Sequence, residues 1–288
     1  MLLTSLQHSP ALLIGVIFII GLMVGSFLNV VIYRLPIMMQ RGWRKECREF
    51  LELPPGEDQE IFNLSFPGSH CPSCKTPINA YQNIPVISYL ILGGKCGVCA
   101  APISLRYPLI EAFTAICSAI IAWRFGYGPE MPFALLLTWS LIALSFIDID
   151  QQLLPDSITL PMLWLGLFLS LFSLYANSHA SIIGAVAGYL SLWSVYQLFK
   201  LATGKEGMGH GDFKLLAVFG AWLGWQYLPL IILLSSLVGA FIGISMIIFR
   251  KHDARQPIPF GPYLAAAGWL AMIWGNDLNR LYLNAVGL

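Results

Sequence analysis

The sequence predicts an all-α polytopic membrane protein with about eight transmembrane helices and a cytoplasmic loop domain between the first two. Of its 288 residues, 57% are hydrophobic and only 11% are charged, whereas soluble domains carry about 25% charged residues. The apolar residues also gather in segments near the ~20 residues that a membrane-spanning helix needs. The lipid bilayer is therefore an expected partner. A net charge of +1 gives no indication of a nucleic-acid partner.

Hydropathy in windows of about 19 residues separates eight apolar segments. In chain order they span residues 11–33, 105–125, 132–148, 158–176, 181–199, 213–227, 229–249 and 259–275. The first has no Lys or Arg before Arg34 and no small-residue cleavage site, so we interpret it as a retained helix rather than a signal peptide. We therefore expect a first transmembrane helix at 1–33, a soluble domain at 34–104 and a seven-helix membrane domain at 105–288.

Lys and Arg lie almost entirely on one side of the predicted membrane. With eight spans, the loops after the odd-numbered segments carry fourteen of these residues, and the other side holds only Arg124 and Arg280. Because basic loops remain in the cytoplasm, the domain at 34–104 is expected to be cytoplasmic. Both termini are then expected on the opposite side.

Four cysteines of the long loop form two C-x2-C pairs, Cys71 with Cys74 and Cys96 with Cys99. The 21 residues between the pairs are typical of a structural zinc site with four thiolates. Cytoplasmic disulfides are rare, so this pattern favours Zn²⁺ as a cofactor over a pair of redox motifs. We predict these four cysteines as its ligands.

Two aspartates lie at the ends of apolar segments on the predicted cytoplasmic side. Asp148 ends the third segment and Asp212 precedes the sixth. Carboxylates beside hydrocarbon are costly and often mark functional sites. If two of them meet, they cannot both carry a charge, so a shared proton allows acid–base chemistry. We predict Asp148 and Asp212 as a catalytic pair, although each alone is equally explained as a water-facing residue at the interface.

The residues around these acids carry further predictions. Gly209 and Gly211 permit positive φ and close approach of another chain, which suits an extended peptide bound beside Asp212, although the glycines alone are equally explained by a flexible loop between spans. Asp156 precedes Ser157 and is expected to cap the fourth helix. Glu111, inside the second segment, is expected to pair with Arg106 or to line a cavity.

Several longer motifs occur in one order along nearly the whole chain. They are Gly25-Ser26-Phe27-Leu28-Asn29-Val30, the four cysteines, Asn83-Ile84-Pro85, Arg106-Tyr107-Pro108-Leu109-Ile110-Glu111, Asp148 with Leu154-Pro155-Asp156, and Gly207-Met208-Gly209-His210-Gly211-Asp212. Together they resemble the prepilin peptidases of bacterial type IV pilus and type II secretion systems. Members of that family are bifunctional leader peptidases and N-methyltransferases, with aspartic active sites of the GxGD type.

The resemblance implies an inner-membrane enzyme with its active site in the cytoplasm and both termini in the periplasm. Its substrates would be type IV prepilins and pseudopilins, cut after the glycine that ends a basic leader. The new N-terminal residue would then be methylated with S-adenosylmethionine. Asp148 and Asp212 match the catalytic acids of the family, and Gly94 matches a glycine linked to methyl transfer.

Two readings from other classes stay open at this point. Intramembrane acids are also typical of proton-coupled secondary transporters, which often contain repeated halves, and we find no convincing internal repeat. The two C-x2-C pairs would also suit a redox-active membrane thiol protein.

Overall fold

The computed structural model describes residues 6–54, 61–250 and 259–286. Within these ranges the secondary structure is helical, which confirms the all-α class. In chain order the helices are α1 (Pro10–Phe50), α2 (Ile87–Ile91), α3 (Arg106–Phe125), α4 (Glu130–Gln151), α5 (Asp156–Ser170), α6 (Ser178–Thr203), α7 (His210–Leu223), α8 (Leu228–Arg250) and α9 (Gly261–Val286). Each of the eight predicted apolar segments overlaps one of the longer helices.

Five helical stretches in the described part of the chain are long and apolar enough to cross a membrane. They are Pro10–Phe50, Arg106–Phe125, Glu130–Gln151, Ser178–Thr203 and Trp225–Ser245. Helix α5 is apolar but shorter. Composition and helix length therefore support a membrane protein, and the count of eight crossings stays a prediction.

Helix α1 continues well beyond the predicted end at residue 33. Its 41 residues correspond to about 62 Å at 1.5 Å per residue, roughly twice the hydrocarbon thickness. Arg34 does not end the helix because its guanidinium is buried and donates to the carbonyls of Asn63 (2.9 Å) and Pro67 (2.6 Å). The polar region after residue 33 therefore begins as a continuation of α1, which ends at Phe50.

The chain divides into two compact units, Met1–Trp139 and Ser140–Leu288, with the boundary inside α4. In the first unit, α1 packs along α3. A Cβ on Gly21 would lie 2.7 Å from the Cα of Ala115, and one on Gly25 would lie 2.7 Å from the Cα of Glu111. The four-residue spacing of these glycines lets the two backbones touch, as in other membrane helix pairs.

Helix α7 is the centre of the second unit, where α5, α6, α8 and α9 pack against it. Nearly all of it from Asp212 to Leu223 is buried. A helix that is apolar on every side belongs in such a core. The Trp222 indole donates to the carbonyl of Met162 (2.8 Å), and the Ser181 hydroxyl donates to that of Ala221, so α5 and α6 are both tied to α7.

The start of α5 differs from the prediction. Pro155 occupies the N-cap, and Asp156 is the first helical residue, with no side-chain cap. Its carboxylate instead pairs with the Lys214 ammonium at 2.7 Å. The Pro155 carbonyl accepts from the N–H groups of Ile158 and Thr159, so the helix begins one residue earlier than a cap at Asp156 would allow. Asp156 is therefore structural, as expected, but by an ion pair between α5 and α7.

Candidate active site and metal centre

Asp148 lies near the carboxyl end of α4 and is only 6% exposed. Its Oδ2 accepts a hydrogen bond from the backbone N–H of Gly261, the first residue of α9, at 3.0 Å. This bond fixes one carboxylate oxygen against the main chain.

Asp212 lies in the first turn of α7 and is 7% exposed. Gly209 is the N-cap of this helix, and its backbone hydrogen-bonds the carboxylate. An acid in a first turn also faces the positive end of the helix dipole. The glycine-rich sequence therefore opens a helix.

The two aspartates are brought together by the fold of the second unit. Although 64 residues separate the two in sequence, Gly211 precedes Asp212 and Gly261 holds Asp148, and both glycines pack against one side chain. This side chain is that of Leu154. The fold therefore brings the two acids to one region of the second unit, and the shared proton and the catalytic role of each acid stay predictions.

The glycines of this loop act through their small size. Gly209 has φ of −76°, and neither it nor Gly211 is among the residues with positive φ. The expected use of positive φ is therefore wrong. Instead, a Cβ on Gly211 would lie 2.7 Å from the Cβ of Leu154, so the glycine makes room for Leu154, and the extended peptide beside Asp212 stays a prediction.

Sequence reasoning missed Gly261. A Cβ there would lie 2.6 Å from Oδ2 of Asp148, so only glycine lets the N–H reach the carboxylate. The available signal was the turn sequence Pro259-Phe260-Gly261-Pro262, which marks a helix start but carries no information about its partner.

The four predicted zinc ligands converge in the first unit. All four Sγ atoms lie within 4.8 Å of one another, and the Sγ distances are 3.8 Å for Cys71–Cys99 and 4.0 Å for Cys74–Cys96. Tetrahedral Zn–S bonds of about 2.3 Å would place sulfurs about 3.8 Å apart. The thiols therefore fit a four-thiolate zinc site, and this grouping is not that of two separate redox pairs.

The two C-x2-C turns have the same backbone structure. In the first turn, the N–H groups of Cys71 and Ile78 donate to the carbonyls of Thr76 and Ser69, respectively. In the second turn, the N–H groups of Cys96 and Ile103 donate to the carbonyls of Ala101 and Gly94. Each turn is closed by an isolated antiparallel bridge, His70 with Pro77 and Lys95 with Pro102. Each therefore presents its two sulfurs by local hydrogen bonds.

Hydrogen bonds also favour the thiolate form that binds metal. The hydroxyl and the backbone of Thr76 both hydrogen-bond the Cys74 sulfur and lower the pKa of its thiol to about 6. The backbones of Cys99 and Val98 lower the pKa of Cys96. Because the thiolate is the ligand, these hydrogen bonds favour metal binding at Cys74 and Cys96, whereas the neighbouring Cys74 and Cys96 side chains and burial raise the pKa of Cys99 to about 11.

Gly94 begins the second of these turns and is buried. Its φ of +69° is a conformation that favours glycine, and a Cβ would lie 2.7 Å from the hydroxyl oxygen of Tyr89. Gly94 therefore packs against Tyr89. Its link to methyl transfer stays a prediction.

Glu111 is 8% exposed and lies one turn inside α3. Its Oε2 accepts the backbone N–H of Val86 at 2.8 Å, and the Ser26 side chain also hydrogen-bonds the carboxylate. The side chain lines a cavity of about 540 Å³. Of the two predictions for Glu111, the structure therefore supports the cavity.

An α-helical membrane protein with two buried aspartates on separate helices is a candidate acid–base enzyme. Residues 135–244, which contain both acids, match the Type IV leader peptidase family, and residues 19–125, which contain the cysteines, match the Bacterial Peptidase A24 N-terminal domain. The chain belongs to the type IV leader peptidase family.

The similar proteins span nearly the whole chain. One from Stutzerimonas stutzeri is 56% identical over 278 residues, 96% of each chain. One from Pseudomonas aeruginosa is 55% identical over 286 residues, 99% of each chain, and one from Legionella pneumophila is 44% identical over 268 residues, 93% of each. All three are called prepilin leader peptidase/N-methyltransferase. No solved structure matches the chain significantly. The transporter alternative finds no support among these relatives.

Proposed function

We propose that this protein removes the leader peptide of type IV prepilins and then methylates the new N-terminal residue. The observation that carries the proposal is the pair of buried carboxylates, Asp148 and Asp212, inside the segment that matches the leader peptidase family. Relatives above 50% identity over nearly the full length carry both activities in their names.

Peptide hydrolysis needs one group that takes a proton from water and one that polarises the scissile carbonyl. Asp148 and Asp212 supply both when they share a single proton, because the ionised carboxylate acts as the base and the protonated one donates to the carbonyl oxygen. The Gly261 N–H holds Oδ2 of Asp148, so the backbone fixes the orientation of this carboxylate.

The substrate fits the predicted topology. A prepilin or pseudopilin with its apolar helix in the bilayer and its basic leader in the cytosol presents the scissile bond at the cytoplasmic interface. Fourteen of the sixteen Lys and Arg residues lie on the side of both acids if the chain crosses eight times. We therefore place the enzyme in the inner membrane, with its site cytoplasmic and its termini periplasmic.

We assign Zn²⁺ to Cys71, Cys74, Cys96 and Cys99, where it would hold the loop between α1 and α3 as a structural ion. S-adenosylmethionine, when bound, supplies the methyl group from a sulfonium. Gly94, beside the second C-x2-C turn, is assigned to the methyl-transfer half of the protein, where its small size leaves room for Tyr89.

The test uses purified protein and a full-length prepilin, with leader removal followed by mass. Asp148→Asn and Asp212→Asn keep the shape of each side chain but abolish the shared proton, and each should reduce cleavage at least about 1,000-fold, as for loss of other essential catalytic groups. Asp150→Asn removes a neighbouring exposed acid and should cleave normally. Cleavage by both variants at the wild-type rate would exclude the aspartic mechanism.

A further inference from the structure

The first unit contains a cavity of about 540 Å³, within the roughly 300–1,000 Å³ of small-molecule sites. One wall is a single face of α1, because Ser26, Asn29, Val30 and Tyr33 follow the i, i+3, i+4, i+7 spacing of one helix stripe. This wall is about 10 Å long at 1.5 Å per residue, long enough to contact an extended ligand along its length.

The opposing walls come from α3 and from the two C-x2-C turns. Tyr107, Pro108 and Glu111 repeat the helical spacing on α3, and Cys71 and Cys96 also line the cavity. Asn29 fixes the two helices to each other, since its side-chain nitrogen donates to the Tyr107 carbonyl at 3.2 Å. The proposed metal ion thus braces a wall of this cavity.

Charged side chains line different parts of the cavity, and its cationic residues are Arg34 and Lys75. Glu111 and Ser26 lie together, whereas Arg34 lies two helical turns along α1 from Ser26, about 12 Å away. Both hydrogen bonds that fix Arg34 go to neutral carbonyls, so they do not neutralise its charge. The part around Glu111 therefore suits a cationic group and the part around Arg34 a carboxylate.

Aromatic rings are a further feature of the lining. Tyr33, Tyr89 and Tyr107 come from three different elements and all line the cavity. Faces of aromatic rings attract onium groups, including at partly exposed sites. A sulfonium ligand is the kind of cation that this lining suits.

We propose that this cavity is the site of methyl transfer, with Glu111 as the base for the α-amino group of the processed chain. The inference rests on the proposed function and adds a location and a residue to its second step. The tyrosines and Arg34 would hold S-adenosylmethionine, through its sulfonium and its carboxylate, and Glu111 would hold the α-ammonium.

The transfer balances with Glu111 as the proton acceptor. The α-ammonium first gives one proton to the carboxylate, which leaves a nitrogen lone pair. That lone pair forms the new N–C bond as the S–CH₃ bond breaks, and the sulfur leaves as a neutral thioether. The product is a secondary ammonium, and the proton on Glu111 passes to water.

Ligand binding tests the location without any turnover. The binding of S-adenosylhomocysteine would be measured calorimetrically for the wild type, Tyr33→Ala and Tyr81→Ala. The two tyrosines are matched in exposure, 65% and 66%, but only Tyr33 lines the cavity. We expect affinity to fall about 10-fold for Tyr33→Ala and to be unchanged for Tyr81→Ala. Equal affinity of the two variants would overturn the location.

Glu111→Gln tests the base, because glutamine can still accept from the Val86 N–H but cannot take a proton. We expect S-adenosylhomocysteine binding and leader cleavage within about twofold of wild type, and methylation of the cleaved pilin at least 100-fold slower. Glu130→Gln, in the same unit but away from the cavity, should methylate normally.

Each outcome for Glu111→Gln decides the role of this residue. Methylation at the wild-type rate would overturn it, and so would parallel loss of cleavage and methylation, which indicates a structural residue. If the wild type itself fails to cleave or to methylate prepilin, the proposed function is at fault instead.

Discussion

At the scale of single residues, the position of Asp148 depends on a glycine 113 residues further along the chain. The Gly261 N–H holds one carboxylate oxygen, and the space that a Cβ would occupy is taken by that oxygen. If a larger residue replaced Gly261, the flexible side chain of Asp148 would move and the backbone would not have to. A substitution at 261 should therefore move the acid more than it weakens the fold.

Gly261→Ala is expected to reduce the rate of leader cleavage about 100-fold, since displacement of a reacting group by about 1 Å can have an effect of that size. The unfolding temperature in detergent should change little. The measurement is cleavage by mass together with a thermal melt.

Gly15→Ala is the matched control, because nothing lies within 4 Å of a Cβ at that helical position. It should cleave like wild type. Wild-type cleavage by Gly261→Ala, or a collapse of its melting temperature, would contradict the positioning role.

At the scale of helices, α7 is held in the second unit by backbone contact with α6. Gly184 and Gly220 face each other so closely that a Cβ on either would overlap the carbonyl of the other. One turn along α6, a Cβ on Gly188 would lie 2.7 Å from the Leu216 carbonyl oxygen. The neighbour here is main chain, which cannot rotate away, so any side chain must push the helices apart.

Gly188→Ala is therefore expected to destabilise the protein by about 1–3 kcal/mol, the usual cost of overpacking, and to reduce cleavage because α7 carries Asp212. Thermal or denaturant unfolding in detergent measures the first effect. Gly42→Ala, with no atom within 4 Å of the added Cβ, should have neither effect. Equal stability of the two variants would show that α6 and α7 do not need this contact.

The sequence was sufficient for features that depend on local pattern. Hydropathy located the eight long helices, and the C-x2-C spacing located four thiols that do converge. It could not reveal the extension of α1 past Arg34, because the carbonyls of Asn63 and Pro67 that satisfy this charge come from a distant loop. Nor could it reveal Gly261, whose role exists only through a tertiary contact with Asp148.

At the scale of the whole molecule, the two proposed activities fall in different compact units. The cysteines, the cavity and Glu111 belong to Met1–Trp139, whereas both aspartates and Gly261 belong to Ser140–Leu288. The two family matches, at residues 19–125 and 135–244, divide the chain at nearly the same place. Damage to one unit should therefore affect one activity more than the other.

Cys71→Ser and Cys96→Ser should release zinc and lower methylation more than cleavage, because the ion braces the first unit only. Zinc per chain would be measured by atomic emission, with about one ion expected for wild type, and both activities would be measured on the same prepilin. Cys47→Ser removes an exposed thiol outside the cluster and should change nothing. Equal loss of both activities would mean that the metal supports the fold of the whole protein.

The matching hydrogen bonds of the two C-x2-C turns have a consequence for how the metal centre assembles. Because each turn orders its own sulfurs, with Cys71 bonded to Thr76 in one and Cys96 to Ala101 in the other, either turn could bind the ion first through two sulfurs. The other pair would then close from a high effective concentration set by the connecting chain. Loss of either pair would leave only two sulfurs to hold the ion.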